Sequence, residues 1–113
     1  MKILSLMVNT DNIELSDEIK KLSIQEIMSR IIVTIINTYA NQSRMKGLTF
    51  DEQRRFYHMG DKFEQAIEQK AESVELEDAW FELIKKAMKE ANLPPDRLLN
   101  RVYDLVENAD MIK

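Results

Sequence analysis

The sequence predicts a mainly α fold: a small single-domain bundle of about four helices, preceded by a short extended or β-hairpin N-terminal segment. Three observations carry this expectation. Apolar residues recur with a helical period over most of the chain after residue 23. The 113 residues include only two glycines and two prolines, too few for the tight turns of a many-stranded sheet. Long charged helix formers fill the polar positions, with 32% charged residues against 44% hydrophobic ones. A chain of this length buries roughly two thirds of its unfolded surface, enough for an ordinary core without staples.

Residues 1–15 are the least helical part. Ile3 to Val8 and Ile13 to Leu15 flank Asn9-Thr10-Asp11-Asn12, a cluster of turn formers. A hairpin, an extended arm and a disordered end are all compatible with that pattern. Ser16-Asp17-Glu18 can begin one helical turn. The firmer start is Ser23-Ile24-Gln25-Glu26, a capping box in which serine and glutamate satisfy orphan amides. It opens a helix over 24–45, in which Ile24, Ile27, Met28, Ile31, Ile35 and Tyr39 keep helical spacing. Ile32, Val33 and Ile36 widen this stripe until the middle of the helix is apolar nearly all round, which predicts coverage on more than one side.

Gly47 is available as a left-handed helix stop. Thr49-Phe50-Asp51-Glu52 is a second capping box, opening a helix over 50–72 with Phe56, Tyr57, Gly60, Phe63, Ile67 and Ala71 on its core face. A glycine in that stripe costs about 1 kcal/mol of helix propensity, so Gly60 predicts a close helix crossing or a bend. Ser73 to Asp78 echoes Asn12 to Asp17, which suggests a strand pairing between the two segments. A helix over 77–92 follows, with Trp80, Ile84, Ala87, Met88 and Ala91 facing in. Pro94-Pro95 stops it, and Pro95 suits the first position of a last helix over 95–108, with Leu98, Leu99, Val102, Tyr103, Leu105 and Val106 inward.

The composition excludes several kinds of chemistry. The chain has no cysteine and one histidine, His58. Thiol nucleophiles, cysteine-built zinc sites and glycine-rich phosphate loops are therefore out. The acids Asp61, Glu64, Glu68 and Glu72 recur at i+3 and i+4, but a di-metal carboxylate bundle also needs Glu-x-x-His pairs from facing helices. The sequence thus offers no catalytic residue, no cofactor-binding motif and no metal-ligand set. It also offers no apolar run long enough to span a membrane, and the start, Lys2 to Val8, is too short for a signal peptide. The cysteine-free composition suits the cytoplasm.

Charge is distributed unevenly around the net value of −4. Residues 20–63 carry eight bases and four acids, whereas residues 64–82 carry one base and seven acids. Such polarity can organise docking on a charged partner or on another copy. The acid row from Asp61 to Glu72 and the basic row Lys85, Lys86, Lys89 have similar pitch and can meet within one chain or across a dimer.

Two functional expectations follow. The first is a non-enzymatic protein acting through protein–protein contacts, as an adaptor, inhibitor or assembly factor. Homodimerisation through Ile32, Val33 and Ile36 belongs to this expectation, since a helix apolar on two sides can serve a core and an interface together. The alternative is a nucleic-acid-binding regulator, in which Arg44, Lys46, Arg54, Arg55 and Lys62 neutralise phosphates. Against it stand a pI near 5.1 and the acidic block that follows. Arg97, Asn100 and Arg101 near the start of the last helix are further residue types that read bases.

Overall fold

The structure is a computed structural model, and it describes residues 2–42, 47–94 and 96–111. The chain runs β1 (Lys2–Ser5), α1 (Asp17–Lys20), α2 (Ile24–Gln42), α3 (Phe50–Gln69), β2 (Ser73–Leu76), α4 (Asp78–Glu90), α5 (Arg97–Glu107) and β3 (Asp110–Met111). The described residues are mainly helical, with four long helices, one single-turn helix and a small antiparallel sheet.

The N-terminal segment does not form a hairpin. β1 pairs instead with β2, some seventy positions away, in the register Lys2 with Leu76 and Ser5 with Ser73. β3 pairs on the other side of β1, giving the order β2-β1-β3. The physical reason is a period of two: Leu4, Leu6 and Val8 are buried while Ile3 and Met7 are exposed. An apolar edge of that kind needs helices to cover it, which a local hairpin would not supply. The expected pairing of residues 13–15 with residues 74–76 does not form, because β1 occupies that edge of β2.

α2 and α3 start where their caps predict. Ser23 Oγ accepts from the Glu26 amide at 3.2 Å, and Thr49 and Glu52 form a complete capping box. α3 ends at Gln69 rather than 72. Lys70 adopts the left-handed conformation at φ 52°, and the Ala71 and Lys70 amides donate to Ala66 and Ile67 carbonyls in a Schellman motif. That reversal turns the chain into β2. Gly47 lies at φ +156°, outside the left-handed helical region, so it is not the stop the sequence suggested. Asp96 is extended and caps α5 through the Leu99 amide at 3.0 Å, so the last helix starts at Arg97 and not at residue 95 as the sequence suggested. Residue 95 and the expected last turn of the first long helix lie outside the described residues.

α2 is the central element and packs against α3, α4 and α5. Its Met28, Ile32, Ile35 and Ile36 join Met59 and Phe63 of α3, Phe81 and Ile84 of α4, Val102 and Val106 of α5, and the inner face of the sheet. Each large apolar side chain so removed from water contributes roughly 1.5–3 kcal/mol. The buried face of α3 runs through Glu52, Met59, Phe63 and Ala66, with Phe56 half-buried beside it. Tyr57, expected inside, is 68% exposed. Gly60 marks no close crossing: a Cβ there would meet nothing within 4 Å.

Candidate functional site: an apolar groove between α1, α2 and α5

Where the helices diverge, they leave a groove of about 370 Å³. Its floor is Ile27 and Ile35 of α2, both buried. One wall is Ile31 on the outer side of α2. Leu98 and Leu99 on the first turn of α5 line it as well, and Ile19, Leu22, Leu93 and Pro94 complete the lining. The six residues Ile19, Leu22, Ile31, Leu93, Leu98 and Leu99 are all half-buried. The sequence counted Ile31, Leu98 and Leu99 as core, because helical spacing gives the direction of a side chain and not how closely a neighbour approaches.

Local chemistry keeps this groove apolar. Thr34 returns its hydroxyl to the Arg30 carbonyl at 2.8 Å, so it asks for no polar partner. Two charges sit at the rim, Arg30 on α2 and Asp96 at the start of α5. α1 contributes no buried residue and is held by its Ser16 cap, so the Ile19 side of the groove rests on few contacts. Gln42 and Asn92 fasten the far end by joining the last turn of α2 to the second residue after α4.

A second, polar hollow of about 590 Å³ separates the start of α3 from α4. Lys85, Lys86, Lys89 and Arg55 face Asp51, Glu52, Glu82 and Glu90 there. Glu52 sits at its inner end, only 8% exposed. It accepts from the Thr49 amide at 3.1 Å and the Tyr39 hydroxyl at 3.4 Å, with Lys86 Nζ at 3.7 Å. Burial pushes its carboxyl up, but the Thr49 amide and hydroxyl, the Lys86 charge and Tyr39 together hold it below the ordinary value. Tyr39 and then Glu52 raise the Lys86 ammonium in turn. The basic row of α4 thus meets the acids of this hollow and not the Asp61–Glu72 row.

Of the residues assigned to self-association, Ile32 and Ile36 are fully buried in the chain's own core. Val33 is half-buried and reaches a small surface hollow beside Gly60. Of the basic candidates, Arg54 and Arg55 line a hollow of about 320 Å³ with Asp51, His58 and Trp80. His58 lies edge-on to Trp80 at 6.2 Å. Lys62 is exposed elsewhere on α3, and Arg44 and Lys46 lie outside the described residues. Arg101 is committed internally, donating to the carbonyls of Asn9 and Asp11 at 2.7 Å each. Among the described residues no three His, Asp or Glu side chains are grouped to hold a metal, and no helix is long and apolar enough to cross a membrane. Compared with protein-family models, curated proteins and solved structures, the chain matches none.

Proposed function

We propose that this chain is a non-enzymatic partner-binding protein whose groove takes an amphipathic helical segment of another protein, in the manner of an adaptor, inhibitor or assembly factor. The observation that carries this reading is the open apolar groove, with six half-buried aliphatic side chains around a buried floor. Helices on its two long sides suit a helix-shaped occupant with apolar residues at i, i+3 or i+4, and i+7. Opposite charges at the rim, Arg30 and Asp96, suit one acidic and one basic flank on that occupant. A small ligand fits less well, since a groove this open to solvent encloses too little of such a molecule's surface.

The test is a photo-crosslinking side chain placed at Leu98 in the full chain inside cells. The expected product joins that position to a peptide of one partner with the apolar spacing just described, and it disappears with Ile31→Glu. No partner product, or the same product from a probe at exposed Glu107, overturns the reading.

A second reading, nucleic-acid binding, draws on the convergence of Arg54, Arg55 and His58 on one hollow. Asp51 in the same hollow weakens it. A salt-sensitive mobility shift abolished by Arg54→Ala with Arg55→Ala would favour this reading over the first.

A further inference from the structure

α3 carries a row of side chains directed away from the core. Phe50, Arg54, Tyr57, Asp61 and Glu64 follow i, i+4, i+7, i+11 and i+14, so they share one helix face. It is opposite the face that buries Met59, Phe63 and Ala66. Phe50 is 74% exposed and Tyr57 68%. The Arg54 guanidinium lies over the Phe50 ring at 5.8 Å, and Tyr57 meets Phe56 edge-on at 5.7 Å, so the exposed rings are braced by their neighbours. Tyrosine, phenylalanine and arginine are the residues that interface centres favour. Beside the row lies a hollow of about 140 Å³ bordered by Val33, Tyr57 and Gly60, into which no side chain projects from the glycine.

The charges on this row run in one direction. Arg54 stands near the N-terminal end, and Asp61, Glu64 and Glu68 follow toward the C-terminal end. Among the described residues these three acids have no cationic group within ion-pair distance, so their mutual repulsion is unrelieved within the chain. A parallel neighbour of the same kind would set like charges side by side. An antiparallel one can set the arginine of each against Asp61 of the other.

We infer that a second copy of this chain covers this face, paired antiparallel along α3. The midpoint between Arg54 and Asp61 falls at Tyr57 and His58, so a two-fold axis there brings each Arg54 opposite the other copy's Asp61. The same axis sets each Phe50 opposite Gln65 of the other copy, one residue past Glu64 at the border of the hollow. Gly60 itself comes opposite position 55, so the Phe50 ring stands five residues, about 7.5 Å by helical rise, from the glycine's level. The Arg54–Asp61 contact therefore forms twice at once, as an isologous interface requires. The surface is small, so the dimer is reversible. None of these residues lines the groove of the proposed function, and the two ideas stand or fall separately.

The experiment is sedimentation of the full chain over a wide concentration range, at low and high salt. The expected result is a concentration-dependent dimer that salt weakens. Arg54→Glu and Asp61→Arg each weaken it at least tenfold, and the double variant restores it. Gly60→Leu fills the hollow and also weakens the dimer while the helical circular dichroism is unchanged. Arg54 and Asp61 are exposed, and Phe50→Ser gives an independent check that removes no core contact. A monomer at every concentration, a dimer indifferent to Arg54→Glu, or a double variant as weak as the singles overturns the inference.

Discussion

Gln42 and Asn92, fifty positions apart, exchange two hydrogen bonds: Gln42 Nε2 donates to the Asn92 carbonyl at 2.9 Å, and the Asn92 amide donates to Gln42 Oε1 at 2.6 Å. One side chain thus satisfies both backbone groups of a residue just past α4 and fixes where the chain sets out across the groove. Both partners are exposed, and an exposed hydrogen bond adds only about 1 kcal/mol net. Gln42→Ala is expected to cost roughly 1–2 kcal/mol in urea unfolding. Amide exchange should quicken at Asn92 while the centre of α4 stays protected, which separates loss of the clasp from global loosening.

Lys70 holds a backbone conformation, φ 52°, that side chains with a Cβ disfavour. Left-handed geometry costs an ordinary residue roughly 1–2 kcal/mol relative to glycine. The Schellman bonds at Ala66 and Ile67 involve backbone only and survive substitution. Lys70→Gly is therefore expected to raise stability by about 1 kcal/mol, read from the urea midpoint at constant slope.

Much of this fold is legible in the sequence because caps and periodicity act locally. Ser23, Thr49 and the Pro94 region mark the helices, and the inward faces of α4 and α5 follow their stripes. Partners are what local pattern cannot give. Leu4, Leu6 and Val8 alternate as a strand does, yet nothing near them says that residues 73–76 are the mate. Ile31, Leu98 and Leu99 keep core spacing, but how far α5 diverges from α2 decides that they line a groove. The adjacent aromatics Phe56 and Tyr57 blur the phase of the stripe by one residue, and the structure turns Tyr57 outward while burying Met59. Glu52 was legible as a cap, whereas its burial under Tyr39 and beside Lys86 depends on α2 and α4 arriving from elsewhere.

Gly60 sits inside α3 with open space where its side chain would be. Nothing in the chain needs a glycine there for packing, and its backbone is helical. Gly60→Ala is expected to stabilise the monomer by about 0.5–1 kcal/mol through helix propensity alone. Chemical denaturation at low protein concentration, where association does not contribute, measures it.

Arg101 ties α5 to the loop after β1 by two donations at 2.7 Å from one guanidinium nitrogen. The loop has its own turn, with the Asp11 amide on Asn9 Oδ1 at 2.8 Å and Asn12 at φ 62°. Arg101→Ala is expected to leave α5 folded, since Val102 and Val106 carry its packing, and to speed amide exchange at Asp11 and Ile13 at least tenfold. Unchanged exchange there would mean that the local turn holds the loop unaided.

The carboxylate of Glu52 gives the chain a specific acid sensitivity. Its proton affinity is depressed below the ordinary value of 4.5 despite burial, because the Thr49 amide and hydroxyl, the Lys86 charge and Tyr39 all favour the anion. A group whose folded pKa lies below its unfolded one adds stability that is fully present above the unfolded value. That stability is lost as pH falls through the folded value. Glu52→Gln keeps the shape and removes the charge. It is expected to lower stability at pH 7 by on the order of 1–2 kcal/mol, as loss of hydrogen bonds to a charged, buried group does. Below pH 4.5 the gap should narrow as pH falls toward and through the folded value, since the wild type then loses what the variant lacks. Urea titrations of both proteins from pH 7 to pH 3 check this, because carboxylates common to the two cancel in the difference. A gap that stays constant to pH 3 would mean that Glu52 acts through shape and neutral hydrogen bonding, with its charge contributing nothing.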